Sequence, residues 1–562
     1  MIDKLFFHPR LVVKLIRNCN ISKLRLMLTT LPYYISTLIF SLIDGISMVL
    51  LVGCFTNGFT LADQKYLPEP IISSLQFFID DNETNSLIFF LIILFSLSLI
   101  FRIGISFSDG FINSWLRERI QRGVFQKYLK GDWSKLRSFR VGDAVGTTTL
   151  ESMTCAKYLT SSLITFYYLL SACMMAVLAV FTSFNATIYL GVLVLPLLVF
   201  IVFIFRILAR ISKKHALLRN LSSANITDRY NGLLQIHIDD NTDYHQEQGM
   251  LQMPELRKFE VLTAFYQAII GSFNILIAVI VLFGFIIWSW VYGFDSLPEI
   301  GLIASVGVLG LKFSSHLNSL ISMIGNLTRL SGSVNPVLSS FDIPFSPDRI
   351  LIKNKVNCVE LTKVSYSYGN HHVVKNISFK VECGAPVLLN GRSGGGKTTI
   401  ANIIAGLYFP SSGIVNYTDS EGNKFSSEKN YSKVGFVTQD VYLFQGSLKQ
   451  NLTAGRNISD DIIWSILRQV DAEDFVIKMG GLKAESIEAG RSLSGGQRRR
   501  LGIARVLLMG ADILIFDEIT AGLDVKNKKN VINIISRLSQ EYIVLLIAHE
   551  DLNLPRLKTI KI

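Results

Sequence analysis

Charge is what this 562-residue chain has least of: only 17% of it is Asp, Glu, Lys or Arg, while 50% is hydrophobic. Mean hydropathy is +0.40. That balance excludes a wholly soluble protein and suits a membrane protein with a soluble part. Cysteine is also scarce. Cys19, Cys54, Cys155, Cys173, Cys358 and Cys383 are scattered with no C-x-x-C pair, so neither a metal site nor a disulfide framework is read from them. The N-terminus lacks a charged-then-apolar segment with a small-residue cleavage site, and no cleaved signal peptide is expected. Acidic residues are fewer than basic ones, 43 against 55, giving a net charge of +12. Such an excess fits nucleic acid or an anionic membrane surface, and the placement of the charges decides between them.

Six long apolar stretches are present, at roughly 32–55, 86–107, 159–182, 187–209, 264–292 and 300–324. Each approaches or exceeds the ~20 residues that span a bilayer as a helix. The segments between them alternate in charge. The 56–85 loop carries Asp63, Glu69, Asp80, Asp81 and Glu83 against Lys65 alone, and 293–299 carries only acids. By contrast 108–158 holds nine Lys and Arg, among them Arg117, Arg119, Lys135, Arg137 and Lys157, and 210–263 opens with Arg210, Lys213 and Lys214. The positive-inside rule places both termini and both long segments in the cytoplasm. It accounts for the net charge without nucleic acid. Residues 1–31, basic and partly apolar, are expected to lie as an interfacial helix on the inner membrane surface. Helical apolar spacing in the two long segments predicts paired helical legs projecting ~30 Å beyond the membrane. Their turns are expected near Gly131–Asp143 and Asn231–Asp240. Polar residues within the spans are few: Asp44, Gln267, Asn274, Lys312, His316 and Asn318. Intramembrane charges are costly and face a cavity or a partner, so Asp44 and Lys312 are expected to approach each other or a central cavity, with His316 nearby.

Composition changes across 326–350, which contains Gly332, Pro336, Pro344 and Pro347 and reads as a linker. From about 351 short β-like runs alternate with helical pattern, the mark of an α/β domain. Its centre is Gly391-Arg392-Ser393-Gly394-Gly395-Gly396-Lys397-Thr398-Thr399, which fits G-x-x-x-x-G-K-[ST] between an apolar strand and an apolar helix. Glycines let backbone N–H groups turn towards phosphate oxygens, and the helix N-terminus adds a positive dipole end. Lys397 is expected at the β- and γ-phosphates and Thr398 on Mg²⁺. The apolar run from Ile513 ends in two carboxylates, Asp517 and Glu518. Asp517 is placed to hold Mg²⁺ and Glu518 to accept a proton from the attacking water. Gln439 follows an apolar strand and is a candidate link from Mg²⁺ to a mobile loop. His549 ends another and is a candidate γ-phosphate contact. Leu493-Ser494-Gly495-Gly496-Gln497 is a second Gly-rich helix start suited to phosphate. Tyr368, about 20 residues upstream of the phosphate loop, is a candidate for stacking on adenine.

With these residues in view the chain resembles an ATP-binding cassette (ABC) exporter half-transporter over nearly its whole length. The resemblance implies an α-helical membrane domain of six spans with the type 1 exporter fold, followed by an α/β P-loop NTPase domain. On this reading 1–31 is the interfacial segment, 32–325 the transmembrane domain with cytoplasmic extensions at about 108–158 and 210–263, 326–350 the linker and 351–562 the nucleotide-binding domain. Tyr368 matches the adenine-stacking loop, Gly391–Thr398 the Walker A, Gln439 the Q-loop, Leu493–Gln497 the signature, Asp517–Glu518 the Walker B, Asp524 the D-loop and His549 the switch histidine. Glu488 matches an exporter loop that touches coupling helices. Glu550 departs from the basic residue usual in the family, and the chain ends at Ile562 without the family's last helices. The resemblance implies ATP with Mg²⁺, a homodimer or heterodimer with each ATP between the Walker A of one copy and the signature of the other, and lipid neighbours. It places the protein in a bacterial inner membrane, exporting a peptide, lipid or hydrophobic small molecule. The alternative is a cassette ATPase that gates or regulates a membrane partner.

Overall fold

The structure is a computed structural model. It describes residues 23–57, 84–182 except 138 and 140, 232–238, 241–292, 297–485 except 370 and 393, 493–549, 552 and 554–562, with scattered positions in 14–17 and 184–230. The expected interfacial helix, the acidic 56–85 loop and the apolar stretch 187–209 lie mostly outside the described residues, and Glu488 lies outside them. The chain divides into two compact units. The first is 1–131 and 139–344; the second is 345–562 together with Asp132–Ser138.

Long helices make the first unit: α1 (Lys23–Asn57), α2 (Thr84–Lys130), α4 (Val141–Thr182), α7 (Met253–Tyr292) and α8 (Leu297–Leu330). Shorter helices α5 (Leu233–Ile238) and α6 (Thr242–Met250) precede α7. Among the described residues, three helical segments are long and apolar enough to cross a membrane: Met27–Val52, Ile88–Lys130 and Val141–Thr182. The fifth and sixth apolar stretches fall within α7 and α8. Large apolar side chains point outward along these helices, including Ile92, Ile100, Phe107, Phe283 and Trp290. In water such surface would be costly; against lipid it is the expected boundary. Where helices meet, small and hydroxylic residues let backbones approach. Ser41 and Ser171 share a hydrogen bond of 2.6 Å, and a Cβ on Gly45 would lie 2.6 Å from Leu178.

The 326–350 segment, read as a linker from its Pro and Gly, is for the most part helical. α8 runs to Leu330, and α9 (Val334–Phe341) buries Val334, Val337, Leu338 and Phe341 in the same core as Leu116, Ile120 and Val124 of α2. Pro336 sits in the first turn of α9, where no backbone N–H is needed, so proline there does not stop the helix. Lys127 Nζ donates to the Ile343 carbonyl at 2.9 Å and closes this junction.

The second unit is α/β. A five-stranded parallel sheet runs in the order β11-β4-β10-β9-β8, from Lys558–Lys561, Val387–Asn390, Ile543–Ile547, Ile513–Asp517 and Val434–Val437. A second sheet is antiparallel, in the order β3-β2-β5-β6, and contains β2 (Val356–Tyr368), β3 (His371–Glu382), β5 (Ser412–Asp419) and β6 (Lys424–Ser426). β9 and β10 are continuous apolar runs, as strands covered on both faces must be. Leu514, Phe516, Leu546 and Leu388 belong to one core cluster and Ile513, Ile515, Ile543 and Leu389 to the other, so successive residues face opposite sides.

Candidate functional site

Register assembles the site. In the parallel sheet Ile547 lies opposite both Leu389 and Asp517, and Phe516 opposite Val437. The carboxyl ends of β4, β10, β9 and β8 therefore form one row. Every chain segment leaving that row carries a residue picked out from the sequence: the phosphate loop after β4, His549 after β10, Glu518 after β9 and Gln439 after β8. Ligands in open parallel sheets bind outside the carboxyl ends of the strands.

The loop after β4 turns back on itself, with Gly395 N–H bonded to the Arg392 carbonyl at 3.1 Å. Gly394 and Gly396 take φ of +79° and +92°, which L side chains rarely adopt. At Gly396 there is also no room, since a Cβ would lie 3.0 Å from the Val373 carbonyl oxygen. Gly396 caps α10 (Lys397–Ile404). Lys397 is buried, and its ammonium donates to the Gly391 and Arg392 carbonyls at 2.9 and 3.1 Å. A buried cation whose hydrogen bonds, among the described residues, go to carbonyls of its own loop is a fitting receptor for phosphate. Ser393 lies outside the described residues.

Thr398, in the first turn of α10, hydrogen-bonds the Asp517 carboxylate from the end of β9. Burial pushes Asp517 above the usual carboxylate range, and neighbouring Glu518 adds to this; the Thr398 bond and the Lys397 charge oppose it. A hydroxyl and a carboxylate converging in this way match the oxygen-donor chemistry of Mg²⁺. Glu518 follows with φ +49°, unusual for a residue with a side chain, and its N–H bonds the Ile547 carbonyl at 2.9 Å. Holding a non-glycine residue there costs of order 1 kcal/mol or more. The turn aims the Glu518 carboxylate at His549, whose Nε2 lies 3.2 Å from Oε1.

Gln439 has an exposed side chain, and its carbonyl accepts from Arg499 Nε at 3.4 Å. Arg499 also donates to Ala521 O at 2.6 Å, tying the segment after β8 to the loop that follows Glu518. The sequence reading missed this arginine, and nothing in its local pattern marks it.

Ser494 and Gln497 form a reciprocal capping box at the start of α14 (Gly495–Leu508). Gly496 packs on Asn527, which would lie 3.2 Å from an added Cβ. Asn527 in turn bonds Asp524, the N-cap residue of α15 (Val525–Leu538), and that bond holds the Asp524 carboxyl below its ordinary range. Among the described residues no hydrogen bond or ion pair links Leu493–Gln497 to the phosphate loop. Tyr368 ends β2, half-buried, with Tyr366 and Tyr408 edge-on at 5.0 and 5.9 Å.

The first unit holds a cavity of about 420 Å³. Lys312 donates to both Asp44 oxygens, at 2.8 and 3.1 Å, on its wall. His316, one turn along α8, packs against Tyr167 and Tyr168 at 6.4 and 6.2 Å. Arg102 and Asp109 of α2 also line it. Neither was singled out from the sequence, although Arg102 lies inside the apolar stretch 86–107 and was legible as an intramembrane charge. The side chains of Gln267 and Asn274 lie outside the described residues.

A family model described as ABC transporter matches residues 374–521. The mycobactin import ATP-binding/permease protein IrtB of Mycolicibacterium smegmatis is 29% identical over 275 residues, 49% of this chain and 48% of that protein. The beta-(1→2)glucan export ATP-binding/permease protein NdvA of Bartonella bacilliformis is 32% identical over 256 residues, 42% of each. The chain thus spans about half the length of these curated relatives. The structure of a bacterial Atm1-family ABC exporter with ATP bound covers 91% of this chain and of its own, with a TM-score of 0.68 at 18% identity, a likeness of fold.

Proposed function

We propose that this chain, an ABC half-transporter in which a helical membrane unit is fused to an ABC-type ATPase domain, hydrolyses ATP to export a substrate across the membrane. The observation that carries the reading is the single row of strand ends where the phosphate loop, Asp517, Glu518, His549 and Gln439 meet.

Each residue has a role in that chemistry. The N–H groups of Gly394, Gly395, Gly396, Lys397 and Thr398 and the Lys397 ammonium bind the phosphates, with Gly391, Arg392, Ser393 and Thr399 completing the loop's turn. Thr398, Asp517 and Gln439 are the residues that would hold Mg²⁺, which when bound neutralises charge on the β- and γ-oxygens. Glu518 takes the proton of the attacking water, and His549 orients that carboxylate and faces the γ-phosphate. Tyr368 stacks on the base. Ser494, Gly495, Gly496, Gln497 and Asp524 serve the nucleotide of a second copy. The lack of any bond from this helix start to its own phosphate loop, among the described residues, supports that head-to-tail arrangement. Its dipole end is turned to solvent and available to a partner's phosphate.

ATP binding and hydrolysis bias the membrane helices between inward-open and outward-open states. Both termini lie in the cytoplasm of a bacterial inner membrane. The substrate meets the cavity of the first unit, whose volume falls in the range of small-molecule sites and whose walls offer the Asp44–Lys312 pair, His316 and three tyrosines. The Glu518–His549 contact favours turnover over a purely gating role. The test is ATPase activity in lipid nanodiscs against peptides, lipids and cationic drugs. Stimulation by one class supports coupled export and names the substrate class; activity that no class alters counts against it.

A further inference from the structure

Asp132–Ser138 lies between α2 and α4 in the chain, yet it belongs to the second unit. It is a compact turn. Asp132 caps the four-residue helix α3 (Trp133–Leu136) by accepting from Ser134 N at 2.9 Å, and the Arg137 N–H bonds the Trp133 carbonyl at 3.1 Å. The turn fixes where Arg137 points. Its Nη1 donates to the Tyr368 hydroxyl at 2.7 Å and reaches the Tyr408 hydroxyl at 3.4 Å. The Tyr368 hydroxyl lies 3.4 Å from Thr399 Oγ1, in the first turn of the helix that follows the phosphate loop.

The geometry leaves Tyr368 usable. The guanidinium carbon is 5.6 Å from the ring centroid while one of its nitrogens is 2.7 Å from the hydroxyl. The charge therefore lies over one face of the ring at its hydroxyl end, which leaves the opposite face for a base. Tyr366 and Tyr408 meet the ring at interplanar angles of 82° and 89°, and Tyr408, nearly inaccessible, gives that side of the pocket a fixed wall. A tyrosine ring otherwise turns broadly about its last torsion. A stacking platform left to turn must be ordered when the base arrives, at the expense of affinity.

We propose that Arg137 is a positioning residue for the nucleotide: by holding the Tyr368 hydroxyl it sets the ring plane on which the base stacks, from 231 residues earlier in the chain. This rests on reading Tyr368 as the base-stacking residue. Among the described residues the Arg137 side chain bonds the Tyr368 and Tyr408 hydroxyls and neither the phosphate loop nor Glu518, so its contribution is to binding, and the chemical step is spared.

The experiment uses the full chain in nanodiscs and compares equilibrium binding of ATP with that of inorganic tripolyphosphate, which has no base. Arg137→Ala is expected to weaken ATP about three- to tenfold, the range for one hydrogen bond of this kind, and to leave tripolyphosphate unchanged. In steady state KM for ATP rises by the same factor with kcat nearly constant. Arg137→Lys restores part of the affinity. In a Tyr368→Phe background, where the ring remains and the hydroxyl is gone, Arg137→Ala has no further effect. Unaltered ATP affinity in Arg137→Ala overturns the proposal. So does equal weakening of ATP and tripolyphosphate, or an Arg137→Ala effect of full size in the Tyr368→Phe background. Should Arg137→Ala fail to fold, Tyr368→Phe alone decides: unchanged ATP affinity overturns the proposal. An unsubstituted chain that binds neither ligand overturns the ATPase reading itself, a result distinct from all of these.

Discussion

Asp44→Asn tests the membrane unit most sharply. Lys312 Nζ lies within 3.1 Å of both Asp44 oxygens, and the Lys312 and Asp44 side chains are 30% and 12% exposed, respectively, so both charges are largely withdrawn from solvent. Removing one partner of a buried pair costs roughly 3–5 kcal/mol, because the other charge stays behind uncompensated. Lys312 keeps some access to the cavity, which puts the expected loss near the low end, about 3 kcal/mol, or roughly a hundredfold in an equilibrium constant. Lys312→Met is expected to cost a similar amount. The double variant Asp44→Asn/Lys312→Met carries no stranded charge, and most of the loss should return. Thermal unfolding of all four proteins in nanodiscs reads this directly as a double-mutant cycle. A double variant as unstable as the sum of its singles would refute the reasoning, since the two residues would then act independently.

Lys397→Ala should weaken ATP binding about ten- to a hundredfold, as expected for a lost charge-assisted donor worth roughly 1.5–3 kcal/mol, and a titration of nucleotide binding checks it. Asp517→Asn should raise the thermal midpoint of the nucleotide-free protein while removing its stabilisation by Mg²⁺ with ATP. Burial lifts the folded-state pKa of Asp517, so its ionised form destabilises the empty protein above that pKa. The gain from Asn should accordingly be full at neutral pH and shrink as pH falls through the lifted value; a gain that does not vary with pH would count against the assignment.

The phosphate loop, both flanking elements and the acids after Ile513–Asp517 were legible because each is a local pattern: an apolar strand, a turn chemistry and a helix start in unbroken order. The first three apolar stretches were legible for the same reason, as length against bilayer thickness. What escaped was non-local or ambiguous. Pro336 and Gly332 marked 326–350 as a linker, but proline in a helix's first turn is not a breaker, and burial of Val337 and Phe341 against α2 makes α9 a packed element. Arg137 could not be joined to Tyr368 from sequence, because only the docking of Asp132–Ser138 in the second unit brings them together. Arg499 reads as one of a run of arginines; its burial and its bonds to the Gln439 and Ala521 carbonyls come from tertiary packing alone. Arg102 is different. An arginine within an apolar stretch is a signal in its own right, and the cavity is where it is found.

The central claim is that Glu518, aimed by its strained turn at His549, drives ATP turnover in this chain. The most direct measurement is phosphate release by the purified protein in lipid nanodiscs beside Glu518→Gln, with ATP binding followed in parallel. The account predicts that the substitution lowers turnover by at least about a hundredfold, as loss of a general base does, while ATP affinity stays within about twofold, since Gln keeps the side chain's size. Hydrolysis by Glu518→Gln at the unsubstituted rate would contradict it.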